Sequence, residues 1–324
     1  MTYRSLTACA AFVLAATLAF PHIAVAQDYP SKPVTFVVAF AAGGVADGIG
    51  RLIGQKLSDK LGQTVVVENR GGAGGNIAAK QIVGAAPDGY TVLVTTTALA
   101  INETLHRNKG FAASDLTAVA IAASSPESFA VHPSHAAATL KDFLANAKGK
   151  AIAFGSAGVG SGSHIAAEYF FKEIAKVPAT HVPFQGGAPA INAAVGNHID
   201  LLSITLGGGL VAQVKSGALK ALAVASDKRV GAMPNVPTLA EAGYPNFQAA
   251  SWVGFFVPAK TPAAVAAKLN GAIDEIVKQP DVRERFVALG FDPVGGNQGE
   301  AETRFKTEIA QWGKMVTALG LKVE

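Results

Sequence analysis

Cysteine is nearly missing from this 324-residue chain: the single one, Cys9, sits in an apolar N-terminal stretch. Past that stretch, disulfides, a cysteine nucleophile and a thiolate metal site are all excluded. Charge is also sparse, at 15% of residues, with 27 Lys and Arg against 23 Asp and Glu. The basic residues are scattered, lying close together only in twos such as Lys148/Lys150 and Lys228/Arg229, and aromatics make up 7%. That pattern excludes a nucleic-acid face as a partner surface. After the N-terminus no run reaches the ~18 uninterrupted apolar residues a membrane-spanning helix needs. The most telling absence is local: neither residues 34–50 nor residues 151–171 contain a single Lys or Arg.

Those two stretches hold what is present. Each runs from a short apolar strand into a glycine- or serine-rich turn that opens a helix. The first is Phe36–Phe40 followed by Ala41 to Asp47, and the second is Ala151–Phe154 followed by Gly155 to His164. A strand-to-helix turn presents unpaired N–H groups at the positive end of a helix dipole, which makes it a cradle for an anion. With no cation nearby, an anion would be held there by N–H groups, hydroxyls and helix dipoles, an arrangement suited to reversible capture. Two such cradles suggest a ligand held between two lobes.

The N-terminus reads as an address. Arg4, the apolar run Leu6–Phe20 and Ala24-Val25-Ala26 before Gln27 match a secretory signal, with cleavage after Ala26 and a periplasmic location. Most of the apolar run follows Cys9, which argues against lipidation there.

Strand and helix signals alternate through the chain. Ile49, Leu52, Ile53, Leu57 and Leu61 recur at helical spacing and Gly62 stops the helix. A strand at 64–68, a glycine-rich turn at 69–76, a helix at 77–85 with Asn76 as its cap, and a strand at 90–95 follow. The pattern restarts near residue 150: a strand at 151–154, a helix at 163–175, a strand at 180–183, a helix at 189–195, and strands at 199–204 and 219–225. Alternation of this kind predicts crossover connections and mostly parallel sheets. At the C-terminal end Thr261-Pro262 reads as an N-cap followed by Pro at the first helical position, with Val265, Leu269, Ile273 and Val277 on one face. Two more helices, at 282–289 and 301–319, complete the chain. These helices are too few for a lobe of their own and return to the first sheet. The expectation is an α/β fold of two lobes: residues 27–125 plus 247–324, and residues 126–246, with hinge crossings near 124–128 and 245–253.

Several strings resemble one family. Gly43-Gly44-Val45-Ala46-Asp47, the run Leu61 to Asn76, Ala86-Pro87-Asp88-Gly89-Tyr90, Ser156 to Ser161, Thr180 to Gly186 and Val236 to Gly243 are similar, in this order, to the tripartite tricarboxylate transporter substrate-binding proteins, or Bug receptors. The resemblance implies a periplasmic-binding-protein (Venus-flytrap) fold, each lobe a mostly parallel sheet flanked by helices. It implies a monomer that closes on a small organic carboxylate and hands it to membrane transporter subunits, with no cofactor and no metal.

The positions matching the family's ligand turns are Phe40, Ala41, Ala42, Gly43, Gly44, Val45, Ala46 and Asp47 on one side, and Ser156, Ala157, Gly158, Ser161, Ser163 and His164 on the other; Thr96, Gln185, Gly186 and Ser203 complete the candidate set. Asp47, in the first turn of a helix, either satisfies local N–H groups or meets the ligand. The chain departs from the family at Ser203–Gly209, which is small and nearly uncharged, and at Ala41 and Val45-Ala46. A roomier or less polar wall is implied there. Gly44→Val and Gly158→Val are both expected to block binding by filling space at the backbone.

Two other readings share these residues. A sensor component would bind the same ligand and dock on a signalling receptor. A serine hydrolase would use Ser156, but Phe154 replaces the first glycine of the G-x-S-x-G elbow. His164 and His181 are candidate bases, without an ordered Ser…Asp…His set. A P-loop lysine is lacking, Gly158–Ser163 does not fit G-x-G-x-x-G, and Pro133 between His132 and His135 disfavours a helical metal pair.

Overall fold

A computed structural model describes residues 29–147 and 149–323. The secretory signal, its cleavage point, Cys9 and Lys148 therefore lie outside the described residues. From Lys32 onward the chain forms one compact unit.

Its first part is a pair of strand–helix–strand crossovers built as the apolar spacing demands. Strand β1 (Val34–Val38), helix α1 (Val45–Leu61), β2 (Val65–Asn69), α2 (Asn76–Val83) and β3 (Thr91–Thr96) follow one another, and β1 pairs in parallel with both β2 and β3. Ile49, Ile53 and Leu57 bury one face of α1, and Gly62, in the left-handed region at φ 65°, ends it with its N–H on the Ser58 carbonyl. That is the conformation glycine adopts without a Cβ penalty. Strand β1 ends two residues earlier than its apolar run suggests, so Ala39 and Phe40 belong to the turn.

Helix α3 (Ala98–Leu105) then leads to β4 (Leu116–Val131), a 16-residue strand that ties the molecule together. From Leu116 to Pro126 it pairs antiparallel with β9 (Ala250–Pro258), and from Glu127 onward with β7 (Leu201–Thr205) and β8 (Lys220–Val224). The chain between them adds α4 (Leu140–Asn146), β5 (Ile152–Ser156), α5 (Gly162–Tyr169), β6 (Ala179–Pro183), α6 (Gly187–Val195) and α7 (Gly208–Lys215). Here β5 runs parallel to β6 and β7. The strand order is β2-β1-β3-β9-β4-β7-β5-β6. The βα units on both sides of β4 are parallel, as the alternation implies; the antiparallel β4 and β9 join them.

Three helices close the chain: α8 (Ala263–Lys278), α9 (Pro280–Ala288) and, after the short β10 (Asp292–Pro293), α10 (Gln298–Leu319). Helix α8 buries Leu269, Ile273 and Val277 and packs on α1 and β4. Helix α10 lies along α3 and β4 and also reaches α5, where Trp312, Val316 and Leu319 join a core with Phe129, Phe154 and Phe170.

Two helix starts differ from the sequence expectation. Pro262 is itself the N-cap of α8, and the Thr261 hydroxyl has no hydrogen-bond partner. Gly75, at φ 93°, is the N-cap of α2, and the Asn76 side chain instead turns inward to accept a hydrogen bond from Asn102. A left-handed glycine already sets the entry to α2, which frees Asn76 for burial.

Candidate functional site

Both glycine turns stand at the C-terminal ends of parallel strands, where open α/β sheets leave a crevice for ligands. The first is held by Asp47. Its carboxylate accepts the Gly43 N–H at 2.9 Å, the Asn69 side-chain amide at 2.9 Å and the Arg51 guanidinium at 2.9 Å. The same Asn69 amide donates to the Phe40 carbonyl at 3.0 Å. Burial alone would raise the Asp47 pKa, but these bonds and the Arg51 charge outweigh it and hold the carboxyl below its usual range. Of the two roles open to Asp47, the geometry displays the local one: it fixes the turn. Helix α1 meanwhile opens at Gly44 with no side-chain cap, leaving its first N–H groups free.

The second turn is a buried hydroxyl network. The Ser161 hydroxyl accepts the His164 N–H and donates to the Gly158 carbonyl at 2.7 Å. Ser163 accepts the Ala157 N–H, and Ser203 donates to the Ser163 carbonyl at 2.8 Å. Ser156 takes the Gly158 N–H at 3.1 Å and lies 2.6 Å from His181 Nε2. The sequence suggests hydroxyls waiting for a ligand; in the structure they are already spent on one another, which stiffens the turn.

His164 stacks on His181 with ring centroids 3.9 Å apart. Burial pushes both down, His181 to about 4 and His164 to about 3, the latter helped by its neighbour. Both rings are neutral at pH 7, so the wall carries no charge. The Ser156–His181 contact is a pair that the sequence order did not display. Ser156 is fully buried, and among the described residues no carboxylate hydrogen-bonds either imidazole, so the third member of a nucleophilic triad is missing.

The walls close on each other through glycines. A Cβ on Gly186 (φ 134°) would come within 3.2 Å of the Ala41 nitrogen, and one on Gly43 within 3.5 Å of Ala188. A Cβ on Gly158 (φ 118°) would sit 2.7 Å from the Phe184 carbonyl oxygen. The expectation for Gly158→Val is therefore corrected: that change breaks the turn itself, whatever the ligand does.

Between the walls lies a small cavity of about 30 Å³ lined by Phe40, Gly44, Val45, Ala46, Thr96, Ala157, Ser161 and Ser163 from the candidate set, with Gly162, Gly187, Ile204 and Thr205. It shares Gly44, Val45, Gly187, Ile204 and Thr205 with a larger cavity of about 300 Å³. Gly43 lines the larger one, and Gly158 and Gln185 line a third cavity of about 210 Å³ on the other side of Phe40. Ala41, Ala42, Asp47, Ser156, His164, Gly186 and Ser203 stand behind or beside these surfaces. Three helices without a side-chain cap, α1 at Gly44, α6 at Gly186 and α7 at Gly207, start at the larger cavity. Their combined dipoles favour a negative guest.

One residue escaped sequence reasoning altogether. Glu127, 1% exposed, lies where β4 passes from β9 to β7. Its Oε1 accepts the Thr205 hydroxyl at 3.0 Å, while its Oε2 has no partner. A Cβ on Gly162 would stand 2.6 Å from Oε1, so the acid sits directly behind the cavity wall. Burial pushes its pKa up to about 8, only partly opposed by Thr205, which leaves it neutral at pH 7. A lone Glu inside an apolar run carries no sequence signal for this.

The crevice, with turns at strand ends, uncapped helix starts and no cation in either wall turn, defines a ligand-binding protein of the periplasmic-binding class. The family profile described as "Tripartite tricarboxylate transporter family receptor" matches residues 49–321, and the chain belongs to that family. It is 31% identical to protein BugT of Bordetella pertussis over 337 residues, covering 99% of each chain. Among solved structures, it is similar to MatC (Rpa3494) from Rhodopseudomonas palustris with bound malate (32% identity, TM-score 0.83, covering 89% of this chain and 100% of that one). It is likewise similar to R. palustris Rpa4515 with adipate (30% identity, TM-score 0.88, covering 91% and 99%). Among the described residues no helix is long and apolar enough to cross a membrane.

Proposed function

We propose that this protein is an extracytoplasmic solute-binding receptor that captures a small carboxylate between the turn after β1 and the turns after β5 and β6, for uptake by a tripartite tricarboxylate-type transporter. The observation that carries this reading is the meeting of three uncapped helix N-termini at one cavity whose glycine turns hold no Lys or Arg. Such a cradle binds an anion through backbone N–H groups. Two related proteins have malate and adipate bound, and both ligands are carboxylates. The N-terminal stretch serves as a cleaved export signal ending at Ala26. The lobes 27–125 plus 247–324 and 126–246 close as rigid bodies about crossings near 124–128 and 245–253. Ligand contacts made to both walls at once favour the closed form, and the closed form is what the transporter subunits recognise.

A thermal-melting panel of mono-, di- and tricarboxylates tests the reading. At least one carboxylate at 100 times its Kd should stabilise the protein by about 2.7 kcal/mol, seen as a clear rise in Tm. The reading fails if no carboxylate moves Tm while an ester is hydrolysed in a Ser156-dependent manner.

A further inference from the structure

Thr205 is the one polar side chain that lines both the small and the larger cavity. Its hydroxyl lies 3.0 Å from Glu127 Oε1, and the direction of that hydrogen bond decides what Thr205 shows to a guest. When Thr205 donates to the acid, only its lone pairs face the cavity. When a protonated Glu127 donates to Thr205, the hydroxyl hydrogen is free to turn toward the guest. An ionised carboxylate has no proton to give and permits only the first arrangement; a neutral acid permits both.

The surroundings of Glu127 favour the neutral acid. It is 1% exposed and its Oε2 has no partner. A Cβ on Gly162 would stand 2.6 Å from Oε1 and 3.0 Å from the Thr97 hydroxyl, so the glycine that opens α5 is what lets the carboxyl lie against the cavity wall. Strands β7 and β9 carry no titratable residue, and Lys220 on β8 is bonded to the His135 carbonyl. From α3 come Thr97, 2.7 Å from the Ser251 hydroxyl, and further along Glu103, paired with Lys109. From α5 come the neutral His164 and, a turn later, the half-buried Glu168. Helix α10 holds Arg304 against Ser124 and Glu308 against Trp312, and Asp227 and Asp292 are exposed. Of the side chains lining the two cavities only Arg285, in the larger one, is charged. Burial of Glu127 is therefore opposed by the Thr205 bond alone.

An anion in the cavity adds to this effect. Two negative charges on either side of one hydroxyl, with no cation between them, disfavour each other, and the buried acid is relieved by keeping its proton. We propose that this receptor binds its carboxylate together with a proton: Glu127 stays protonated, donates through Oε1 to Thr205, and turns the Thr205 hydroxyl into a donor for the bound anion. Glu127 is then a positioning residue that acts through Thr205. Where the free protein already carries the proton, none is exchanged; where Glu127 is ionised, each bound anion brings one proton from solvent onto it. A guest presenting an ammonium group at Thr205 needs the opposite arrangement and binds better as pH rises. The inference rests on the carboxylate-receptor reading above and adds proton linkage to it.

Calorimetric titration of the full mature protein with adipate from pH 6.5 to pH 9, in pairs of buffers that differ in ionisation enthalpy, tests the linkage. Where adipate does not bind at pH 6.5, the carboxylate giving the largest rise in Tm takes its place. Carboxylates with ordinary pKa values of about 4 are ionised throughout this range. Affinity should be about tenfold weaker at pH 9 than at pH 6.5, with close to one proton taken up per bound anion at pH 9 and almost none at pH 6.5. Glu127→Gln supplies a permanent amide donor to Thr205, so it should keep the pH 6.5 affinity within about threefold and hold it to pH 9 without proton uptake. Thr205→Val should weaken binding at pH 6.5 by about tenfold. A role confined to bracing β4 against β7 moves stability in these variants and leaves proton uptake in the parent at zero. Affinity that is flat or rises toward pH 9, the same decline in Glu127→Gln, or parent affinity in Thr205→Val would overturn the proposal while leaving the receptor reading intact. Binding of no carboxylate at pH 6.5 would bring down the receptor reading and this inference with it.

Discussion

Gly44→Val should abolish ligand binding, with a loss of at least about 100-fold, or roughly 2.7 kcal/mol, in a protein that still folds. Gly44 has φ −81° and ψ 177°, ordinary extended backbone that valine adopts freely. A Cβ there meets only the Ala41 carbonyl oxygen at 3.4 Å and the Gly187 nitrogen at 3.8 Å, which is normal contact. The two methyl groups beyond it enter the space shared by the small and large cavities, beside the first N–H groups of α1. A carboxylate oxygen and a methyl group cannot occupy that space together. Replacing glycine at an N-cap should cost the fold no more than about 1 kcal/mol. Urea unfolding and calorimetric titration of the same preparation check both halves. Full affinity in a folded Gly44→Val protein would remove the first turn from the site. Gly158→Val gives no such separation, because its left-handed backbone and its approach to Phe184 disturb the turn first.

The second large effect is on stability against pH, and Glu127 controls it. Its folded pKa of about 8 lies above the unfolded value of 4.5. Between those values the folded protein holds a proton that the unfolded chain does not, so stability falls as pH rises, by up to about 1.4 kcal/mol per unit. His164 and His181 act in the opposite direction. Their folded values of about 3 and about 4 lie below the unfolded 6.5, so the stability they confer is complete above pH 6.5 and is lost as pH falls. Taken with Glu127, these groups place the stability maximum near pH 6.5. Glu127→Gln keeps an acceptor for the Thr205 hydroxyl and carries no charge at any pH. The decline between pH 6.5 and 8 should flatten in the variant. Glu168 and Glu308 are also raised by burial, so the difference between variant and parent at each pH isolates Glu127. A parent protein whose unfolding free energy is flat or rising from pH 6.5 to 8 contradicts the assignment.

What the sequence made legible follows from how local each signal is. The βα units announce themselves because Ile49, Ile53 and Leu57 lie on one helical face and Gly62 supplies a left-handed stop. The long strand β4 announces nothing. Its sequence, Leu116 to Val131, is buried on both faces and so lacks alternation, and Pro126 within it reads as a breaker. Its partners β9 and β7 lie 72 to 142 residues away by register, from Ala130 on Leu202 to Leu116 on Pro258, a pairing no local pattern can encode. At the site, glycine turns could be read directly because their chemistry is backbone chemistry. The roles of Asp47, Ser161 and Ser163 as internal braces depend on which donors fold onto them. Arg285 reaches the cavity only because α9 packs beside α8 and β10, a consequence of tertiary structure with no trace in its neighbours in sequence.

In the proposed function an anion is held by backbone N–H groups at converging helix starts, without a cation in the glycine turns. Calorimetric titration of the mature protein with adipate and with its diamide, at low salt and again at 0.5 M NaCl, tests it most directly. The expected result is that adipate binds, that the uncharged diamide is weaker by about 100-fold or more, and that salt weakens adipate while leaving the diamide unchanged. Equal affinity for the acid and the diamide would contradict it.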